Sequence, residues 1–264
     1  MTSKKYKISI IVVSLNTKFF FLKTIRSIMG QSYKNKEIIV VGGKSTDGTI
    51  EVITKMKKNF SKIIIEKDKG IYDAMNKGSY LAKGEWIMFL NSGDTFYNNQ
   101  VLANIFKNPL MNKDIIYGDT LVKQKNIKYL APSSIFWQTT SIMPFCHQSA
   151  IIKTAIVKRN KLSLKYKYSS DFDFFLRCFV KNKKFYNINC IIATVLAQGL
   201  SDNNRQKVYS ENIKILTKYN YSFFIIAKLW FLKLYNLIKD CIKYILPEVF
   251  ILLILKFKYR KKLI

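Results

Sequence analysis

Four polar clusters each follow an apolar run: Ser14-Leu15-Asn16, the stretch GGKSTDGT from Gly42 to Thr49, EKDKG from Glu66 to Gly70, and NSGD from Asn91 to Asp94. Side chains of these types can hold phosphate, ribose hydroxyls or a hard divalent cation, and they are also what ordinary turns are made of. Gly43-Lys44-Ser45 matches the end of the phosphate-wrapping pattern G-x-x-x-x-G-K-[ST]. That pattern needs a glycine where this chain has Ile38, inside an apolar run. A phosphate-wrapping loop of that kind is therefore excluded.

The segments that carry these clusters alternate in period. Ile8 to Ser14 is a continuous apolar run, as expected of a strand buried on both faces. Phe19, Leu22, Ile25, Ile28 and Met29 recur at helical spacing, and Gly30 ends that helix. Glu37 to Val41 reads as a second strand, Thr49 to Phe60 as a helix, Lys62 to Ile65 as a third strand and Trp86 to Leu90 as a fourth. Strands separated by helices predict a parallel sheet with helices on both faces, and ligands then gather beyond the C-terminal strand ends, where the polar clusters lie. Further on, DIIYGD from Asp114 to Asp119 reads as a short strand ending in a turn, and Ser170 to Val180 as a helix.

Taken together, GGKSTDGT, DKGIYDAMNKG, EWIMFLNSGD, the YGD of Tyr117 to Asp119, the CHQ of Cys146 to Gln148, SDFDFFLR and the QGLS of Gln198 to Ser201 resemble the family 2 glycosyltransferases of bacterial surface-polysaccharide type. The resemblance spans roughly residues 6 to 205. It implies the GT-A fold, a Rossmann-like α/β architecture with a mixed, mainly parallel sheet flanked by helices. It also implies inverting transfer of a hexosyl or N-acetylhexosaminyl group from a nucleotide-diphosphate donor, a UDP-sugar first, to a glycan hydroxyl. Asp94 falls at the family's DxD-like place, and as the one carboxylate there it is assigned the metal, Mn2+ or Mg2+, whose hard oxygen ligands suit a leaving diphosphate. Ser14, Asn16, Gly43, Asp47, Asp68, Asp73, Asn76, Lys77, Asn91 and Gly93 are expected around the sugar donor, with Asn76 and Lys77 starting or supporting the next helix.

Asp171 matches the family's base, although the Glu that usually precedes it is Ser170 here. Phe172, Phe174 and Phe175 around it are expected to exclude water and raise its pKa. Asp171 and Asp173 could equally cap the helix and decorate its first turn. Asp119, His147, Gln148, Asp173 and Arg177 are expected near the acceptor or diphosphate, with Arg177 either orienting Asp173 or neutralising phosphate. Relatives commonly carry Asp after the second strand; Gly42-Gly43 replaces it. That departure, with Asn91 and Ser170, leaves open a catalytically silent relative that binds lipid-linked glycan or scaffolds other enzymes.

Forty-five Lys and Arg against 16 Asp and Glu give a formal net charge of +29, which favours anionic partners. No nucleic-acid-binding motif accompanies it, and no nucleic-acid partner is expected. Four scattered cysteines suggest neither a zinc site nor a disulfide framework. Lys4, Lys5 and Lys7 before Ile8 to Val13 imitate a signal peptide, but the run is short and reads as a first strand. Residues 1–220 form the expected transferase domain, with 6–107 as its sugar-nucleotide half and 108–220 as its acceptor half. Residues 221–264 form a basic amphipathic helical tail that Pro247 splits in two. Its lysines and aromatics suit an anionic membrane surface, or else pack on the domain with the lysines in water. For bacterial relatives the resemblance implies a lipid-linked acceptor, polysaccharide or lipopolysaccharide synthesis, and a cytoplasmic enzyme peripheral to the inner face of the plasma membrane.

Overall fold

The computed structural model describes residues 6–107, 109–124, 127–134, 142–197 and 199–245, with the side chains of 239–245 excepted. Gln198, Pro247 and the second piece of the tail lie outside the described residues.

The N-terminal half is built as the periodicity predicts. Strand β1 (Ile8–Ser14), helix α1 (Lys18–Met29), β2 (Lys36–Gly42), α2 (Thr49–Lys55), β3 (Lys62–Ile65), α3 (Ile71–Leu81) and β4 (Trp86–Phe89) follow in order. β3, β2, β1 and β4 lie side by side and are all parallel, with Ile10 opposite both Ile38 and Met88. The helix expected over Thr49 to Phe60 is shorter: α2 stops at Lys55, and a 3-10 turn at Lys57–Asn59 follows.

The rest of the chain completes one mixed sheet. It comprises β5 (Thr95–Phe96), α4 (Val101–Phe106), β6 (Ile115–Gln124), β7 (Ile127–Ala131), β8 (Ala150–Lys153), α5 (Thr154–Asn160), α6 (Ser170–Val180), β9 (Phe185–Leu196), α7 (Leu200–Asn203), α8 (Arg205–Lys218) and α9 (Phe223–Ile245). The nine-stranded sheet runs β3-β2-β1-β4-β8-β6-β9-β5, with β7 paired to β6. β8 is antiparallel to β4 and β6, whereas β6 and β9 are parallel. The turn expected at Asp119 is instead a register shift, and β6 continues through it to Gln124.

Alternation along β1 divides the core. Ile8, Ile10 and Val12 face α1, α2 and α4 in one cluster, while Ile11 joins residues of α3, α5, α6 and α8 in the other. This two-period split is the direct result of side chains pointing to opposite faces. It leaves the C-terminal strand ends uncovered by helix bodies. Antiparallel β8 begins where β4 ends, with Met88 opposite Ile151. The residues just before β8 are thereby delivered to the same edge as NSGD.

Candidate active site

The first two loops at this edge are stitched together. The Asn16 N–H donates to Ser45 Oγ at 2.9 Å and the Thr46 N–H to Asn16 Oδ1 at 2.9 Å, with Asn16 in the left-handed region at φ 51°. Asp47 Oδ2 accepts the Lys18 N–H at 3.0 Å, and its Oδ1 accepts the Thr49 N–H at 3.0 Å. These bonds, that of Lys18 first, hold the Asp47 carboxyl below its ordinary range. Ser14 Oγ lies 2.7 Å from Thr17 Oγ1. The Gly43 N–H donates to the Ser14 carbonyl at 2.9 Å, and a Cβ at Gly43 would meet Leu15 Cδ1 at 2.7 Å. Leu15 thus occupies the space above Gly43.

Beside them, Lys77 gathers the acids of the third loop. Its Nζ lies 2.7 Å from Glu66 Oε1, 2.7 Å from Asp68 Oδ1 and 3.2 Å from Asp73 Oδ2. Asp73 also accepts the Lys69 N–H at 2.9 Å. Asn76 and Lys77 do not start the helix: Gly70 is the N-cap of α3, and both residues sit within it. The Asn76 amide donates to the Leu162 carbonyl at 2.8 Å and accepts the Leu162 N–H at 2.9 Å, tying α3 to the chain after α5.

The centre of the edge is the NSGD loop against the turn before β8. Gly93 takes φ 106°, a conformation that favours glycine. Thr24, on the buried face of α1, holds this loop: its Oγ1 donates to the Asp94 carbonyl at 2.7 Å and accepts the Gly93 N–H at 2.9 Å. Asp94 is 7% exposed. Burial pushes its carboxyl up to about 6, against the opposing hydrogen bonds from Gln148 Nε2 at 3.0 Å and the Leu196 N–H at 3.4 Å. Asn91 Oδ1 and Ser92 Oγ, in the same loop, are buried oxygens without a hydrogen-bond partner. One carboxylate with spare neutral oxygens fits a hard cation completed by substrate and water. Among the described residues no three His, Cys, Asp or Glu side chains gather as a metal cage.

His147 and Gln148 are consecutive on a 3-10 turn, His147–Ser149. While Gln148 reaches Asp94, His147 Nδ1 lies 3.1 Å from Asp171 Oδ2 and its Nε2 lies 3.4 Å from Asn91 Nδ2. Asp171 Oδ1 accepts the Tyr72 hydroxyl at 2.9 Å and the Phe172 N–H at 3.0 Å. Burial would raise the Asp171 carboxyl, yet the hydrogen bond from His147, then those of Tyr72 and Phe172, outweigh it and hold the pKa below its ordinary value. The expected upward shift is therefore corrected. Surrounding aromatics matter less than the three donors aimed at the carboxylate. Asp171 is not the cap of α6, because that place belongs to Ser169.

The remaining acceptor-side residues make contacts of their own. Asp119 Oδ1 accepts both the N–H and hydroxyl of Ser133, at 2.7 and 2.8 Å. Asp173 is buried and paired with Arg177 Nε at 2.8 Å. Arg177 also donates to the Asn160 and Lys161 carbonyls. That set locks α6 to the end of α5, and of the two roles expected of Arg177 it shows the orienting of Asp173. Ser170, where a Glu is usual, is buried with an unpartnered hydroxyl.

Three contributors escaped the sequence reading. Tyr72 lies inside DKGIYDAMNKG but carries no signal of its own, Thr24 shows only as a polar residue on an apolar helix face, and Glu211 is remote in sequence. Glu211 accepts the N–H groups of Lys167, Tyr168 and Ser169 at 2.8–2.9 Å, which fixes the chain entering α6.

Comparison with known proteins bears on the family and the fold. Residues 9–187 match the family described as Glycosyl transferase family 2. The chain is 26% identical over 261 residues to the UDP-Glc:alpha-D-GlcNAc-diphosphoundecaprenol beta-1,3-glucosyltransferase WfaP of Escherichia coli, covering 90% of this chain and 96% of that one. It is 29% identical over 177 residues to a PGL/p-HBAD biosynthesis glycosyltransferase of Mycobacterium bovis, covering 65% and 69% of the two chains. Among solved structures, S. aureus TarS 1-349 in complex with UDP-GlcNAc superposes with a TM-score of 0.63 at 17% identity, over 84% of this chain and 69% of that one. In full-length TarS the matched part is 41% of the chain. A Pyrobaculum calidifontis mannosyltransferase in complex with GDP-Man and Mn2+ superposes with a TM-score of 0.62 at 15% identity, over 82% and 64%.

Proposed function

Because the chain belongs to glycosyl transferase family 2 and is a glycosyltransferase, we propose that it moves a sugar, with inversion, from a UDP-sugar to a hydroxyl of a lipid-linked glycan. The sugar donor rests on the strand-end loops, and Asp171 receives the proton of the attacking hydroxyl. The observation that carries this reading is the state of Asp171: a carboxylate held ionised by three donors, with 18% of its side chain still open to an incoming hydroxyl. A relative matched over nearly its whole length, named for a UDP-Glc donor and a diphosphoundecaprenol acceptor, supports the substrate classes.

The chain's own residues divide the work. As the acceptor O–H bond breaks and its proton passes to Asp171 Oδ2, the oxygen attacks the anomeric carbon, and the bond to the diphosphate breaks with its electron pair leaving on phosphate oxygen. Asp94, with Asn91 Oδ1 and Ser92 Oγ, would hold Mn2+ or Mg2+. Such a cation, when bound, neutralises the charge that develops on the leaving diphosphate. Tyr72 and His147 keep Asp171 in place, and Thr24 keeps the Asp94 loop in place.

The acceptor's lipid explains the tail. Helix α9 buries Leu229 and Asn236 against the domain and exposes Phe223, Phe224, Trp230, Phe231, Leu234 and Ile238. Lys228 and Lys233 flank that apolar stripe at helical spacing. Such a face suits the headgroup region of an anionic membrane, where the enzyme would meet its acceptor on the cytoplasmic leaflet during surface-polysaccharide synthesis. No described helix is long and apolar enough to cross a membrane.

The test is a thermal-shift panel of UDP, GDP, CDP and dTDP, each with and without manganese, on the parent protein and Asp94→Asn. A manganese-dependent rise with UDP, absent in Asp94→Asn, is expected. No rise with any nucleotide would overturn the reading and favour a catalytically silent relative, to which Gly42-Gly43 and the unpartnered Ser170 hydroxyl would then belong.

A further inference from the structure

His147 is the only histidine in the chain, and its ring lies between Asp171 and Asn91. A side chain placed only for packing would be replaceable by Leu. Here both ring nitrogens are engaged: Nδ1 with Asp171 Oδ2 at 3.1 Å, and Nε2 with Asn91 Nδ2 at 3.4 Å. Asp171, already accepting the Tyr72 hydroxyl and the Phe172 N–H, can as a carboxylate only accept, which places the single hydrogen of a neutral ring on Nδ1. Nε2 is then the bare nitrogen beside the Asn91 amide.

The turn that carries His147 is itself fixed. Ser149, fully buried, places its hydroxyl 2.6 Å from Thr120 Oγ1 and 3.0 Å from the Asp119 carbonyl. The Cys146 thiol donates to Gln148 Oε1 at 2.7 Å, which directs the Gln148 amide N–H group to Asp94. Consecutive side chains of one rigid turn therefore hold Asp171 on one side and Asp94 on the other. Tyr72 completes the grip on Asp171 from α3, with its hydroxyl also 3.1 Å from the Tyr168 carbonyl.

We infer that His147 is a positioning residue: its Nδ1–H fixes the orientation of Asp171 Oδ2, and its place on the turn beside Gln148 sets that oxygen in register with the Asp94 loop. The inference rests on the proposed transfer reaction for its consequence, but the hydrogen bond itself does not. Without the Nδ1–H, Asp171 keeps Tyr72 and Phe172 on Oδ1 while Oδ2 loses its one described protein donor. The carboxylate then rotates, and the lone pair that should meet the acceptor hydroxyl is misdirected.

Two readouts test this on the full chain. With 15N-histidine labelling, a long-range proton–nitrogen spectrum at about pH 8, where imidazole is ordinarily neutral, contains one ring. A protonated Nδ1 and bare Nε2, with the Nδ1 signal displaced in Asp171→Asn, are expected. A ring protonated at Nε2, or one indifferent to Asp171→Asn, overturns the inference whatever the activity. In sugar transfer, His147→Leu should lose about 10–100-fold in kcat with little change in KM for the sugar donor. His147→Gln, whose amide N–H can reach Oδ2, should recover part of that loss at a similar melting temperature. Parent-like turnover in His147→Leu, or His147→Gln no better than Leu, also overturns it. The expected ring state with no transfer by the parent protein would uphold the pair and sink the transferase reading instead.

Discussion

Asp94 and Asp171 are two largely buried acids reached from one turn, yet their surroundings act in opposite directions. Asp94 has two donors, Gln148 Nε2 and a long Leu196 N–H contact at 3.4 Å, and burial prevails, pushing its carboxyl up to about 6. Asp171 has three donors and is held ionised below its ordinary range. Burial by itself does not decide a carboxylate's state; the number of hydrogen bonds to its charged form does. The difference divides the labour: an acid that is costly to ionise alone is suited to receive a cation, and one stabilised as an anion is ready to take a proton.

That contrast can be broken at each end. The largest effect is expected for Asp171→Asn, which should cost about 10²–10⁴-fold in turnover, measured as initial rate at saturating sugar donor. Asp94→Asn should abolish any manganese-dependent gain in melting temperature with the nucleotide. The two variants should also differ in stability without metal. Asp94 has a raised folded pKa, so its favourable contribution is lost as pH rises through about 6. Asp94→Asn should therefore melt no lower than the parent at about pH 7.5. Asp171 has a lowered folded pKa, so its contribution is present above about pH 3.9 and lost as pH falls through the folded value. Asp171→Asn should melt lower at neutral pH, with the gap narrowing in acid.

Tyr72→Phe sharpens the comparison by removing one donor from Asp171 while keeping the ring. A loss of about 1.5–3 kcal/mol in denaturant unfolding is expected, the range for a hydrogen bond to a charged group. The acid limb of the kcat/KM profile should move to higher pH, because a donor that lowers the Asp171 pKa is gone. Lys77→Met should have the smallest effect, about 1 kcal/mol or less in the same unfolding measurement. Its ion pairs with Glu66, Asp68 and Asp73 join α3 to the loop before it, and water reaches the Lys77 and Glu66 side chains.

The two halves of the chain were unequally legible. β1, α1, β2, β3 and β4 follow from short apolar runs, helical spacing and Gly30, because strands covered on both faces read as continuous apolar runs. α2 ended early because Met56 to Phe60 tighten into a 3-10 turn, a choice that amphipathic spacing does not distinguish. β6 ran past Asp119 because pairing with β7 and β9 overrides local turn chemistry. At the site, Asp94, Asp171, His147 and Gln148 were legible through their motifs. Their partners Tyr72 and Thr24 were not, since a hydroxyl that meets a carboxylate 99 residues away or a loop 69 residues away leaves no local pattern. The Asp171 shift went the wrong way for the same reason: aromatic neighbours are visible in sequence, whereas hydrogen-bond donors from other elements are not.

The most direct test of the central claim is the anomeric configuration of the product formed from an α-linked UDP-sugar and a lipid-linked acceptor, read by NMR for the parent protein and Asp171→Asn. The account predicts a β-linked product from the parent and almost none from the variant. An α-linked product, or undiminished transfer by Asp171→Asn, would contradict it.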